Sequence, residues 1–341
     1  MRLRFISGVG VVAVAAIVAG CGSEPVAQVK DTKAEAAAKL QKTKAAKVAA
    51  AAKAKANELG QIPVLMWHRI VDKPATTDDR TPAQFRADLE RLVKDGYVPV
   101  TAAEMVTGKI DIPAGKHPVV LTFDDSSPSQ LTLDGTGTPQ PGTAVAILQE
   151  VAAKNPGFRP VATFYVTRDM FGKTNRDEQA QMLLWLKNNG FDIGNHTRDH
   201  HNLRGRTHQQ VEEQIGGIGK EIGALSQVKP VTIALPYGNQ PNKKEWAARG
   251  NGYKHAGVFL AGYTPAPSPF SRSFDPLGIP RIRAMDKKGD CAQFCSTAWL
   301  DWLKGNPDMR YTSDGDVATV AYPKFKAPFL RKAFKTYALP Y

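Results

Sequence analysis

Cysteine is scarce in this chain. Three occur in 341 residues, and two of them, Cys291 and Cys295, have no histidine nearby and so make a poor zinc site. In an oxidising compartment they could pair locally, although a spacing of four on a helix leaves little dihedral freedom, and the bridge stays open. The apolar run from Val9 to Ala19 falls short of the ~20 residues a spanning helix needs. Residues 24–59 hold no aromatic residue and few large aliphatics, so they cannot build a core. Acids are outnumbered, 32 Asp and Glu against 45 Lys and Arg, for a formal charge of +13. Six of those charges belong to Arg2, Arg4 and the segment 24–59, where eight lysines face four acids. No interleaving of aromatic and basic residues supports nucleic-acid binding, and lysines beside an anionic membrane or wall polymer suffice to explain the excess. No protein partner is implied.

What is present begins with a leader. Residues 1–20 carry Arg2 and Arg4, the apolar run, and then Val18-Ala19-Gly20 before Cys21, which reads as a signal peptide. Small residues directly before a cysteine resemble the lipobox of bacterial lipoproteins, and that resemblance implies cleavage ahead of Cys21 and its lipidation. The expected location is the extracytoplasmic face of the cell membrane, with an ordinary signal peptide or a short membrane anchor as the alternative. Residues 21–59, rich in Ala and Lys, follow as a semi-rigid or partly disordered tether. Ala and Lys favour helix, but no apolar stripe is there to dock one.

From residue 60 onward the pattern alternates between strand-like apolar runs and amphipathic segments. Strands are expected at Ile62 to His68, Tyr97 to Val100, Val119 to Phe123, Val161 to Val166, Phe191 to Ile193, Val231 to Leu235, 253–260 and 279–284. Helices are expected from Thr81-Pro82 to Gly96, at Thr143 to Ala153, and near 177–188, 207–225, 241–249 and 291–303. Strands separated by helices imply a parallel sheet wrapped by helices, open or closed into a barrel, with ligands at the carboxyl ends of the strands.

Two motifs occupy that position. Asp124-Asp125 supplies adjacent carboxylates, one able to ligate a cation while the other stays free as a base, and His196 to His200 adds two imidazoles. Three protein ligands with an open position make a catalytic zinc-type centre rather than a closed structural one. Asp199 and Arg198 are expected to brace the loop and Thr197 to orient a ligand, with His201 a lesser alternative to His200. His208 is expected in solvent, His117 in a turn and His255 in the core. Phe123 and Trp67 are taken as wall and core, with Tyr237 and the Trp299/Trp302 pair as candidates to stack on sugars. The Ser/Thr/Gly/Pro-rich segment Ser126 to Gly142 is either a groove-bordering insertion or a surface excursion.

Val119-Val120-Leu121-Thr122-Phe123-Asp124-Asp125, Ala162-Thr163-Phe164-Tyr165-Val166, His196 to Leu203 and Leu235-Pro236-Tyr237-Gly238 resemble, in order, the motifs of the polysaccharide deacetylases, carbohydrate esterase family 4. The resemblance covers roughly 62–284 and implies an α/β fold, a distorted (β/α) barrel. It implies metal-dependent removal of acetyl groups from an N-acetylated cell-surface or extracellular polysaccharide. Asp124 would be the general base, Asp125, His196 and His200 the ligands of a divalent metal (zinc, with cobalt or nickel also accommodated), Pro236 and Tyr237 substrate contacts, and the Tyr237 N–H an oxyanion donor. The commonest family pattern places the general acid on a late histidine, and none follows His255. A subgroup resembling the exopolysaccharide (poly-N-acetylglucosamine) deacetylases carries it on the first strand, where His68 stands. Ala234 occupies the place of an arginine that orients the base, which points to Arg281 as a substitute. An O-acetyl esterase of the same fold and an inactive glycan-binding lipoprotein are the other readings.

Overall fold

In the computed structural model, residues 26–289 and 291–341 are described, with side chains from residue 34. The signal segment and Cys21 lie outside the described residues. Two units are distinguished, one ending at Ala46 and the other spanning Lys47–Tyr341. Helix α1, Val26–Lys53, is made of the Ala- and Lys-rich stretch, and at ~1.5 Å per residue its 28 residues extend about 42 Å. The tether was expected to run to residue 59, yet the compact unit already begins at Lys47. The reason is local packing: Ala51, Ala56 and Leu59 are buried, and Asn57 exchanges backbone hydrogen bonds with Thr312. No helix among the described residues is long and apolar enough to cross a membrane.

Eight parallel strands build the central sheet: β1 Val64–Trp67, β2 Tyr97–Val100, β3 His117–Phe123, β4 Thr163–Val166, β5 Asp192–Asn195, β6 Thr232–Ala234, β7 Gly257–Phe259 and β8 Ile282–Arg283. Their order is β7-β6-β5-β4-β3-β1-β8, and β2 pairs with the first four residues of β3. The sheet curls until its ends meet. A bridge joins Phe259 of β7 to Ile279, three residues ahead of β8, with backbone bonds between Leu260 and Ile279 on one side and Ile279 and Val258 on the other. This is the distorted (β/α) barrel that the motif resemblance implied.

Alternation along each strand decides what lies inside. Val119, Leu121 and Phe123 of β3 pack outward into the main helix-facing core with Leu65, Trp67, Phe164, Val166 and Ile193. The intervening positions turn to the barrel interior, where Val64, Val120, Tyr165, Ala234 and Phe259 form a second cluster. Period-two side-chain direction therefore puts the even-numbered residues of β1, β3 and β5 on the inner face. His68, Asp124 and His196 continue that series one step beyond the strand ends.

Helices α2 Pro82–Lys94, α3 Ala102–Thr107, α4 Ala144–Lys154, α5 Arg176–Asn188, α6 His208–Ser226, α7 Glu245–Ala248, α8 Cys291–Phe294 and α9 Ser296–Gly305 complete the domain. The α2 start at Thr81-Pro82 is a capping box closed by Gln84. Helix α3 was not anticipated, although Thr101 and Glu104 form a second capping box at its head. The helix expected near 241–249 is reduced to α7, the strand expected at 253–260 is split in two, and the helix expected near 291–303 breaks at Cys295. Cys291 and Cys295 are joined as a disulfide across that break. His117 is the first residue of β3 rather than part of a turn, its Nδ1 2.8 Å from the Tyr311 carbonyl.

Candidate active site

Four strand ends deliver the site. His68 follows β1, Asp124 and Asp125 follow β3, His196 follows β5, and Pro236-Tyr237-Gly238 forms a tight turn after β6. The backbone there is held in an uncommon conformation. Eight non-glycine residues with positive φ occur among the described residues, and five belong to these loops: Asp125, Ser126, Thr197, His200 and Tyr237. Such conformations cost on the order of 1–3 kcal/mol each and persist only where the surroundings enforce them. Gly238 is part of that enforcement, since a Cβ there would lie 2.6 Å from the Ala261 nitrogen.

Asp125, His196 and His200 converge so that one ligand atom from each lies within 4.8 Å of the others. Both histidine Nε2 atoms stand 3.4 Å from Asp125 Oδ1. The tautomer of His196 follows from its partner. Its Nδ1 is 2.8 Å from the Ala234 carbonyl, which can only accept, so Nδ1 carries the hydrogen and Nε2 presents a lone pair. That Nε2 is buried and has no hydrogen-bond partner among the described residues. A buried imidazole nitrogen without a partner, aimed at a carboxylate and a second imidazole, fits a divalent cation. His201 is exposed and outside this cluster.

Asp124 sits behind the triad, almost fully buried. Arg281 grips it through two bonds, Nη1 to Oδ1 at 2.6 Å and Nη2 to Oδ2 at 2.7 Å. Arg281 is itself buried, with its guanidinium over the Tyr165 ring and further bonds to Thr122 Oγ1 and the Leu260 carbonyl. Burial alone would raise the Asp124 pKa, but the Arg281 charge, helped by His196, outweighs it and holds the carboxyl well below the ordinary range. Asp125 also titrates low, with burial opposed by His196. For His196 burial disfavours the cation, yet Asp124 and Asp125 raise its pKa overall. His68 Nε2 is 4.0 Å from Asp124 Oδ2, and His196 Nε2 is 3.8 Å from the same atom.

These groups open into a cavity of about 760 Å³, whose lining includes His68, Asp124, His196, His200, Tyr237 and Arg281. The Tyr237 ring is exposed and stands edge-on to His200 at 4.9 Å. The cavity is not bordered by the segment 126–142, as the groove-bordering reading had it. That segment turns inward instead: Gln130 is fully buried, and its amide donates to the Asp124 carbonyl at 2.5 Å and the His68 carbonyl at 2.7 Å. Trp299 and Trp302 also lie elsewhere, packed edge to face, with the Trp299 indole N–H donating to the Tyr263 carbonyl. Asp199 braces its loop through Arg168 and Gln214, and His255 is buried with its pKa pushed down to about 4 by burial.

Sequence reasoning missed Gln130, Asp78, Arg283, Tyr263 and Phe294. Arg283 could have been found, because it lies two positions after Arg281 and strand alternation puts both on one face. Gln130 carried no periodic signal at all.

Residues 111–256 match the polysaccharide deacetylase family profile. The chain is 25% identical over 228 residues to YxkH of Bacillus subtilis (strain 168), named for the same family, covering 65% of this chain and 71% of that one. Among solved structures, the Streptococcus pyogenes deacetylase PplD in complex with acetate is similar at 21% identity and a TM-score of 0.53, over 69% of this chain and 98% of that one. IcaB from Ammonifex degensii is similar at 18% identity and a TM-score of 0.52, over 72% of this chain and 97% of that one. The two structures share the fold, while the family match spans Asp124, Asp125, His196, His200 and Tyr237. On these grounds residues 111–256 belong to a polysaccharide deacetylase domain, of carbohydrate esterase family 4.

Proposed function

We propose that this protein hydrolyses acetyl groups from an N-acetylated cell-surface or extracellular polysaccharide at a centre held by Asp125, His196 and His200. Zinc is the cation that the two-imidazole, one-carboxylate set suits, with cobalt and nickel accommodated by the same donors. A divalent cation bound there would polarise an acyl oxygen and acidify water. The remaining work belongs to side chains. Asp124, kept ionised by Arg281, takes a proton from water. His68, from the neighbouring strand end, gives one to the leaving amine. The Tyr237 N–H, in its left-handed turn, serves as a donor to the developing oxyanion.

The observation that carries this reading is the spacing around Asp124 Oδ2, which lies 3.8 Å from His196 Nε2 and 4.0 Å from His68 Nε2. One carboxylate oxygen thus borders both the ligand set and the candidate acid. Acetate release from N-acetylated oligosaccharides tests it: release should stop with chelator, return with added zinc, and fall on the order of a hundredfold or more in Asp124→Asn. Release from O-acetylated but not N-acetylated substrates would select an esterase instead. Glycan binding without any acetate would make the domain a lectin-like one. Turnover unchanged in His68→Ala would remove His68 from the acid role.

Lipidation of Cys21 and residence on the extracytoplasmic face belong to the same proposal. They are supported by the leader pattern and by the Cys291–Cys295 disulfide, which suits an oxidising compartment. Cys21→Ser should abolish incorporation of labelled fatty acid and release the protein from membranes.

A further inference from the structure

The cavity has lining residues that acetyl removal does not use. After β7 the chain contributes Ala261, Gly262 and Tyr263, and beyond β8 it contributes Cys291, Phe294 and Cys295. Tyr263 is 67% exposed and Phe294 47%, unlike the buried rings of Trp67, Phe123 and Phe164. Their centroids lie 5.9 Å apart with the planes inclined at 68°, so the two rings form an open aromatic corner on the cavity that His196 and His200 also line.

That corner is held in place from three directions. Trp299 Nε1 donates to the Tyr263 carbonyl at 2.7 Å. Gly262 allows the loop to press against the barrel closure, where a Cβ would meet Pro280 Cβ at 3.0 Å and the Arg281 nitrogen at 3.2 Å. The Cys291–Cys295 disulfide closes the single turn that carries Phe294. Large apolar side chains left in water cost free energy, and the edge-to-face contact of the two rings leaves most of the Tyr263 surface uncovered. The same cavity presents Arg283 and Asp78, paired at 2.7 Å, which bring charged hydrogen-bonding groups to its lining.

An apolar ring face beside charged hydrogen-bonding groups matches a pyranose, which has a C–H face and a hydroxyl edge. We propose that Tyr263 and Phe294 form a subsite for a sugar ring adjoining the one that is deacetylated, so that the protein reads a segment of polymer rather than a single sugar. This rests on the deacetylase reading above. Rings of this kind contribute to binding without touching the acetyl group, so their effect falls on KM and grows with chain length.

The test is a length series of N-acetylglucosamine monomer, dimer and pentamer, with acetate measured for the full-length protein. The wild type should show kcat/KM rising with length. Tyr263→Ala and Phe294→Ala should each remove about tenfold on the pentamer, mainly through KM, and flatten the rise. Tyr263→Trp should preserve it, which separates loss of the ring from loss of the fold. Replacing both Cys291 and Cys295 by serine should act in the same direction as Phe294→Ala. A rise with length that survives both alanine variants, or a wild type indifferent to length, overturns the subsite while leaving the deacetylase reading intact. No acetate from any length overturns the deacetylase reading and the subsite with it.

Discussion

A carboxylate at the floor of a cavity can act as a base only while it stays charged, and Asp124 stays charged because Arg281 is buried beside it. The pair is also a liability, since removing one partner of a buried ion pair strands the other. Arg281→Met should therefore destabilise the protein by about 3–5 kcal/mol at neutral pH, read by denaturant unfolding. It should also lower acetate release on the order of a hundredfold, because the proposed base is no longer oriented or held ionised. Adding Asp124→Asn to Arg281→Met should recover most of the stability and none of the activity. If the double variant is as unstable as the single one, stranded charge is not the cause. The sequence offered Arg281 as a substitute for the base-orienting arginine that Ala234 replaces. Two bonds to Asp124 required the barrel to close.

Elements set the next level. The strands were legible: the apolar runs named six of the eight closely and put His68, Asp124 and His196 at or just beyond strand ends, while the face each residue takes came from the packing. Helix starts were legible where capping residues stood before an apolar stripe, as at Thr81, Thr143 and Thr207. The segment 126–142 was not, because its composition describes a loop and says nothing about where a loop goes. Its Gln130 amide has two hydrogens, and each goes to a carbonyl at the end of a different strand, one before Asp125 and one before Arg69. Gln130→Leu keeps the bulk and removes both donors. It should cost about 1–3 kcal/mol through the two buried carbonyls left unpaired, and lower kcat more than it raises KM, since the proposed base and acid lose their shared strut. A rise in KM alone would place Gln130 in substrate binding instead.

At the scale of the whole molecule, the domain is tied at both ends by a buried carboxyl outside the active site. Glu58 accepts from Tyr311 Oη at 3.0 Å and from the Ala321 N–H at 2.9 Å, joining the residues ahead of β1 to the C-terminal extension. Burial, with Asp314 nearby, pushes its pKa up to about 8. A raised acid is neutral in the folded state and ionised in the unfolded one, so its contribution is complete below the unfolded value of about 4.3 and is lost as pH rises to about 8. Glu58→Gln should accordingly raise the melting temperature above wild type at pH 8 and match it near pH 4.5, a difference worth on the order of a few kcal/mol. Identical melting curves at both values would mean that Glu58 is charged in the folded protein.

The sequence by itself determined the alternation of strands and helices and the acid and imidazole residues at the strand ends. These are local properties, set by side-chain periodicity and by which residues can cap or break an element. Tertiary structure decided whether the distant candidates His68 and Arg281 reach the site. His68 and Arg281 both lie outside the matched span 111–256, and they reach Asp124 because β1 and β8 pair with each other and the segment ahead of β8 closes on β7. It also put Tyr263 and Phe294 on the cavity while packing Trp299 and Trp302 away from it. Closure of a curled sheet depends on contacts between residues far apart in the chain, and no local pattern records them.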